Sequence, residues 1–164
     1  MNAITALDPQ SADGKVADLL GAVAKSLGSV PNLFRVAAQS PASLEGLLAL
    51  SSALRTGRLS GRTREALALT VAELNGCDYC LSAHTLLGKG AGLSDADIEA
   101  ARQGRSADTE RQAALDLAAA VVRSRGRVAD ADLARARQAG LDDGRIVEIV
   151  AQVALNTFTN YLNL

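Results

Sequence analysis

No stretch of this 164-residue chain alternates apolar and polar residues with period two. Apolar residues instead return every three or four positions, from about residue 13 to the end, which is the spacing of amphipathic helices. That periodicity leaves no sheet to build and predicts an all-α, compact multi-helix bundle. Aromatic residues are 2% of the chain against 48% hydrophobic overall, so the core must be made of Ala, Leu, Val and Ile, which suits closely packed helices. Caps and breakers divide the pattern into about nine helices. They are expected near 13–27, 32–39, 41–55, 63–75, 77–90, from 95 after the Ser94 cap, 108–125, 130–139 and 142–164, with Gly28, Ser40-Pro41, Ser60, Asn75-Gly76 and Ser94 as punctuation. Loops of two to six residues leave no linker, so residues 1–164 read as one domain.

Two segments echo one another. LSDADIEAARQG (93–104) resembles VADADLARARQAG (128–140), which is explained by repeated use of the same caps or by duplication of a helical unit.

The 17 basic and 18 acidic residues are well mixed and sum to −1, which excludes an electrostatic footprint for nucleic acid or an anionic membrane. MNAITALDPQSADGK lacks a basic n-region and an apolar h-region, and no long uncharged apolar run follows. The expected compartment is the cytoplasm, where thiols are kept reduced. The last helix carries its own signal. In IVEIVAQVALNTFTNYL, Glu148, Gln152, Asn156 and Asn160 step by four, one polar stripe on an otherwise apolar rod. A rod of this kind is expected to be buried, either centrally or against a second subunit. The stripe then lines an interface or faces the site described next.

GCDYCLSAHT (76–85) holds both cysteines and the single histidine of the chain. With Cys77 at a helix start, Cys80 lies in the first turn and His84 one turn further. Spacings of three and four share a helix face. A free thiol with a pKa near ~8.5 is only ~3% ionised at neutral pH. A first-turn sulfur meets unsatisfied N–H groups and the positive end of the helix dipole, and both favour the thiolate. His84 is placed to take the thiol proton. Cys80, nearer to His84, is the candidate nucleophile, and Cys77 is its resolving partner. His84 needs an orienting group. If the helices flanking Gly76 form an αα-hairpin, then at about 1.5 Å per residue Glu65 stands ~16 Å above the turn and His84 ~12 Å. Glu73 sits lower, level with Cys80, and Glu65 is the better candidate. Three readings compete at this point: a thiol-redox pair, two inert buried cysteines, and a zinc site that lacks a fourth Cys or His ligand.

The segment REALALTVAELNGCDYCLSAHT resembles the core of the AhpD-like alkylhydroperoxidases of the carboxymuconolactone decarboxylase superfamily. The pattern there is Glu, eleven residues, Cys, two residues, Cys, three residues, His, and Glu65, Cys77, Cys80 and His84 match it. VPNLFRVAAQSPASLEGLLALSSAL and IVEIVAQVALNTFTNYLN extend the likeness over nearly the whole chain, closest to the small peroxidase-related branch. The resemblance implies an all-helical fold in homo-oligomers, trimers or hexamers. It implies a thiol-dependent peroxidase acting on hydrogen peroxide or organic hydroperoxides, without metal, haem, flavin or other cofactor. By the same resemblance Cys80 attacks and becomes a sulfenic acid, Cys77 condenses with it, and Glu65 and His84 relay the proton. A lipoyl-bearing protein or another dithiol then serves as reductant. One departure stands at Tyr79, where well-studied peroxidase members carry a further His. A redox-sensing or scaffold oligomer with little turnover is the alternative that this departure motivates. The lactone-decarboxylating branch lacks the CxxC.

Overall fold

Each helix boundary has a local cause. Ser40, Ser60 and Ser94 accept hydrogen bonds from the N–H groups of Ser43, Thr63 and Asp97, and the last forms a capping box with the Asp97 carboxylate. The Ser94 hydroxyl (2.7 Å) and N–H (3.0 Å) both donate to the Asp97 carboxylate and hold that carboxyl below its ordinary pKa. In the computed structural model, which describes residues 4–163, a short 3-10 turn at Pro9–Ser11 precedes nine α-helices. They are α1 (Gly14–Leu27), α2 (Asn32–Ala37), α3 (Pro41–Arg55), α4 (Gly61–Asn75), α5 (Asp78–Gly90), α6 (Asp95–Arg102), α7 (Thr109–Ser124), α8 (Asp130–Gln138) and α9 (Asp143–Asn163). The described residues contain no strand, and the architecture is an all-α bundle. No helix among them is long and apolar enough to cross a membrane.

The echo between 93–104 and 128–140 does not come from a shared start. Ser94 builds a full capping box, whereas Ala129 offers α8 no side-chain cap. The common feature is the stop: Gly104 (φ +68°) and Gly140 (φ +100°) both take the left-handed backbone that ends a helix cheaply only with glycine.

α4 is the hub. Residues 66–72 are buried without interruption, because α5, α6, α7 and α9 surround the helix. Leu67, Leu69 and Val71 pack with Leu115 of α7 and Ile149 of α9, all at zero exposure. Ala66, Ala72, Ala114 and Ala118 keep the helices close, as the aliphatic composition requires. The buried Thr70 hydroxyl donates to the Ala101 carbonyl at 2.6 Å and ties α4 to α6. A second cluster gathers Leu20, Ala37, Leu44 and Leu47 from α1, α2 and α3, with Phe34 and Leu155 against it.

α9 is turned with its polar stripe inward. Gln152, Asn156 and Asn160 are at most 5% exposed, while Val147, Val150, Phe158 and Tyr161 are exposed on the opposite side. The stripe has several partners, not one. Glu148 accepts the N–H groups of Arg58 (2.8 Å) and Leu59 (3.1 Å) in the loop before α4. Asn160 accepts from the Asn75 amide at the far end of α4 (2.9 Å). These ties at matching ends make α9 parallel to α4, with α5 antiparallel to both.

Candidate functional site

The site is made by a helix reversal that uses a single residue. Gly76 (φ +70°) ends α4, and the Cys77 N–H closes the terminus on the Ala72 carbonyl at 3.0 Å, a Schellman-type bond. Cys77 is also the N-cap of α5. Its sulfur accepts the Cys80 N–H at 3.3 Å, in the place usually held by a Ser or Asp oxygen. The two sulfurs are therefore held over the first turn of α5, both nearly fully buried, and are joined in a disulfide. A crosslink between positions three apart closes a very short loop and removes little chain entropy, so as a staple it contributes little. Asn163, near the end of α9, donates its amide N–H to the Cys80 sulfur at 3.4 Å.

One turn along α5, His84 Nδ1 meets Glu65 Oε2 at 2.8 Å, each side chain about one-fifth exposed. Gly88 lets α5 approach α4 here; a β-carbon added to it would lie 3.3 Å from Leu93 and 3.8 Å from the Glu65 β-carbon. With Nδ1–H donated to the carboxylate, Nε2 is the lone-pair nitrogen left to exchange a proton. Glu73 is occupied elsewhere, with Arg102 of α6 donating to it at 2.8 Å. Residue counting up two antiparallel helices thus identifies the carboxylate that reaches His84.

Cys80, His84 and Glu65 line one cavity of about 440 Å³, and Cys77 does not. The wall opposite comes from α9, with Gln152, Asn156 and Asn163, and from α2, with Leu33 and Phe34. VPNLF therefore shapes the pocket, and part of the polar stripe faces the thiols. A groove of about 480 Å³ between α7 and α8, bordered by Asp116, Asp132 and Arg135, lies away from both sulfurs. Among the described residues, no group of three or more His, Cys, Asp or Glu side chains is arranged to hold a metal.

Sequence reasoning missed three cavity residues, Arg55, Arg64 and Asn163. Asn163 had a signal: it lies three residues beyond Asn160 and extends the buried face of α9. The two arginines had none, because the loop between α3 and α4 brings them to the cavity.

Residues 41–120 match the carboxymuconolactone decarboxylase family. No curated protein matches the sequence. Among solved structures, the chain is similar to an alkylhydroperoxidase AhpD core, a peroxidase-related protein from Ralstonia eutropha JMP134. The TM-score is 0.84 at 22% identity, covering 96% of this chain and 85% of that one. It is also similar to a peroxidase-related protein from Silicibacter sp. TM1040, with TM-score 0.79, 26% identity, and 96% and 87% coverage. The debrominase Bmp8 shares the fold at 19% identity, with TM-score 0.82 and 99% and 89% coverage. With CxxCxxxH on one helix and its glutamate on the adjoining one, the family match over residues 41–120 and the shared fold together support the AhpD-like/carboxymuconolactone decarboxylase superfamily.

Proposed function

We propose that the protein is a thiol-dependent peroxidase that reduces hydroperoxides through Cys80 and Cys77, with Glu65 and His84 as proton relay. The observation that carries this reading is the Glu65–His84 contact at 2.8 Å on the cavity lined by Cys80. In the reduced protein, the N-terminal turn of α5 and the Asn163 amide favour the anionic sulfur at Cys80. That sulfur attacks the distal oxygen of the hydroperoxide. The S–O bond forms, the O–O bond breaks, and the departing alkoxide or hydroxide takes a proton from His84. Cys77 then attacks the sulfenic sulfur, water leaves, and the disulfide forms. An external dithiol, of lipoyl or similar type, reopens the disulfide by exchange.

The test is hydroperoxide consumption with dithiothreitol as reductant, together with mass spectrometry of the 77–80 peptide. Turnover with a peroxide-induced disulfide supports the reading. Bromide release from 2,3,4-tribromopyrrole, the ligand of a debrominase structure, with no hydroperoxide consumed would replace it. One stoichiometric oxidation that no dithiol reverses would mark a sensor or scaffold. Glu65→Gln keeps an acceptor for Nδ1 but removes its charge, so kcat/KM is expected to fall roughly 10–100-fold. An unchanged pH–rate profile in that variant would remove Glu65 from the relay.

The reading includes a homo-oligomer. Val147, Val150, Phe158 and Tyr161 form one exposed apolar face of α9, which a second copy would take out of water. Val147→Lys/Phe158→Glu is expected to lower the molar mass seen by sedimentation; an unchanged mass would place the contact elsewhere.

A further inference from the structure

The cavity is much larger than hydrogen peroxide requires. It holds about 440 Å³, while a water occupies about 30 Å³ of liquid and sites for organic ligands begin near 300 Å³. Its two ends differ in chemistry. At one end Asn163 reaches the Cys80 sulfur, with Thr159 beside it. At the other end α4 begins and α3 and α5 finish, and Arg55, Gly61, Arg64 and Ala91 form the border. From Cys80 to Ala91, the C-cap of α5, eleven helical steps rise about 16 Å. Between the ends the wall is apolar, with Leu33, Phe34, Leu47, Leu87 and Leu155.

The charges on this cavity are few. Among the described residues Glu65 is its one carboxylate, and it is bonded to His84. Arg55 and Arg64 are its guanidinium groups. Arg64 donates Nη1 to the Leu59 carbonyl at 2.6 Å, and its Nη2 lies by Gly61, also on the border. Among the described residues neither arginine is in ion-pair contact with a carboxylate. Two guanidinium groups with no carboxylate partner among the described residues, at one end of an apolar cavity with a thiol pair at the other, are complementary to an anionic amphiphile. Arginine presents a donor fork that suits a carboxylate.

Resting on the peroxidase reading above, we infer that the substrates are alkyl hydroperoxides with a carboxylate remote from the peroxy group, of the fatty-acid class, anchored by Arg55 and Arg64. The apolar wall takes the chain, and the peroxy group meets Cys80. The electron balance is that of the thiol cycle: the O–O bond breaks as S–O forms, the alkoxide is protonated to a hydroxy acid, and the carboxylate is unchanged.

The test compares linoleic acid hydroperoxide with its methyl ester, with dithiothreitol as reductant. Wild type is expected to favour the acid by about tenfold in kcat/KM at low salt. That preference should shrink with rising ionic strength and with Arg55→Gln/Arg64→Gln. Because Arg64 also holds the Leu59 carbonyl, Arg55→Gln alone is measured in parallel and should lose part of the preference. Calorimetry of decanoate and methyl decanoate on the oxidised protein supplies a readout without turnover, and decanoate should bind tighter by a similar factor. Equal rates and equal affinities for acid and ester in wild type would overturn the inference, even with other hydroperoxides consumed. Decanoate binding through the arginines with no hydroperoxide consumed would instead overturn the peroxidase reading and leave acid recognition standing.

Discussion

Cys80→Ser is expected to abolish dithiol-dependent hydroperoxide consumption, with kcat/KM at least about 10³-fold below wild type. A serine hydroxyl at the same place in the first turn of α5 remains un-ionised at neutral pH, and oxygen cannot pass through the sulfenic acid and disulfide states that close the cycle. The paired variant separates the two sulfurs. Cys77→Ser keeps the cavity-lining nucleophile and should give a single turnover, leaving a sulfenic acid on Cys80 detectable by mass spectrometry. Its N-cap role is retained, since serine also accepts the Cys80 N–H. Equal steady-state rates for wild type and Cys80→Ser would remove the thiol from the chemistry. Multiple turnover by Cys77→Ser at the wild-type rate would remove the resolving step.

Leu67→Ala is expected to destabilise the fold by about 2–5 kcal/mol. Leu67 has zero exposure on the helix that touches four others, so no single neighbour can move in without disturbing the rest. At this chain length each kcal/mol corresponds to about 2–4 °C in Tm, which thermal unfolding followed by circular dichroism measures directly. A loss under about 1 kcal/mol would mean that the α4 surroundings relax into the space.

Most of the helical framework is legible in the residues themselves, because it is punctuated locally. Ser40-Pro41, Ser60, Gly76 and Ser94 act on backbone groups within four residues, so their effect does not depend on the tertiary fold. The Glu65–His84 contact is legible for a related reason. A one-residue reversal at Gly76–Cys77 turns height along two adjacent helices into residue counting. Glu73 fails that count, and the structure finds it on Arg102.

The face that α9 presents is different. Its polar stripe is visible in the residues, but periodicity does not say whether amides or valines point inward. The structure buries Gln152, Asn156 and Asn160 and leaves Val147 and Phe158 exposed, because the amides find a cavity wall and the end of α4 there. Glu148, in the same stripe, serves the loop before α4 instead.

What the residues determine unaided is the helical framework, the face shared by Cys80 and His84, and the level at which Glu65 meets the ring, since all of these follow from helix pitch and short-range hydrogen bonds. What the tertiary structure alone decides is the environment of that thiol pair: the Asn163 amide on the sulfur, the inward amides of α9, and the arginines at the far end of the cavity. These groups come from segments up to about a hundred residues apart, and only the packing of α2, α3 and α9 around the α4–α5 hairpin brings them together.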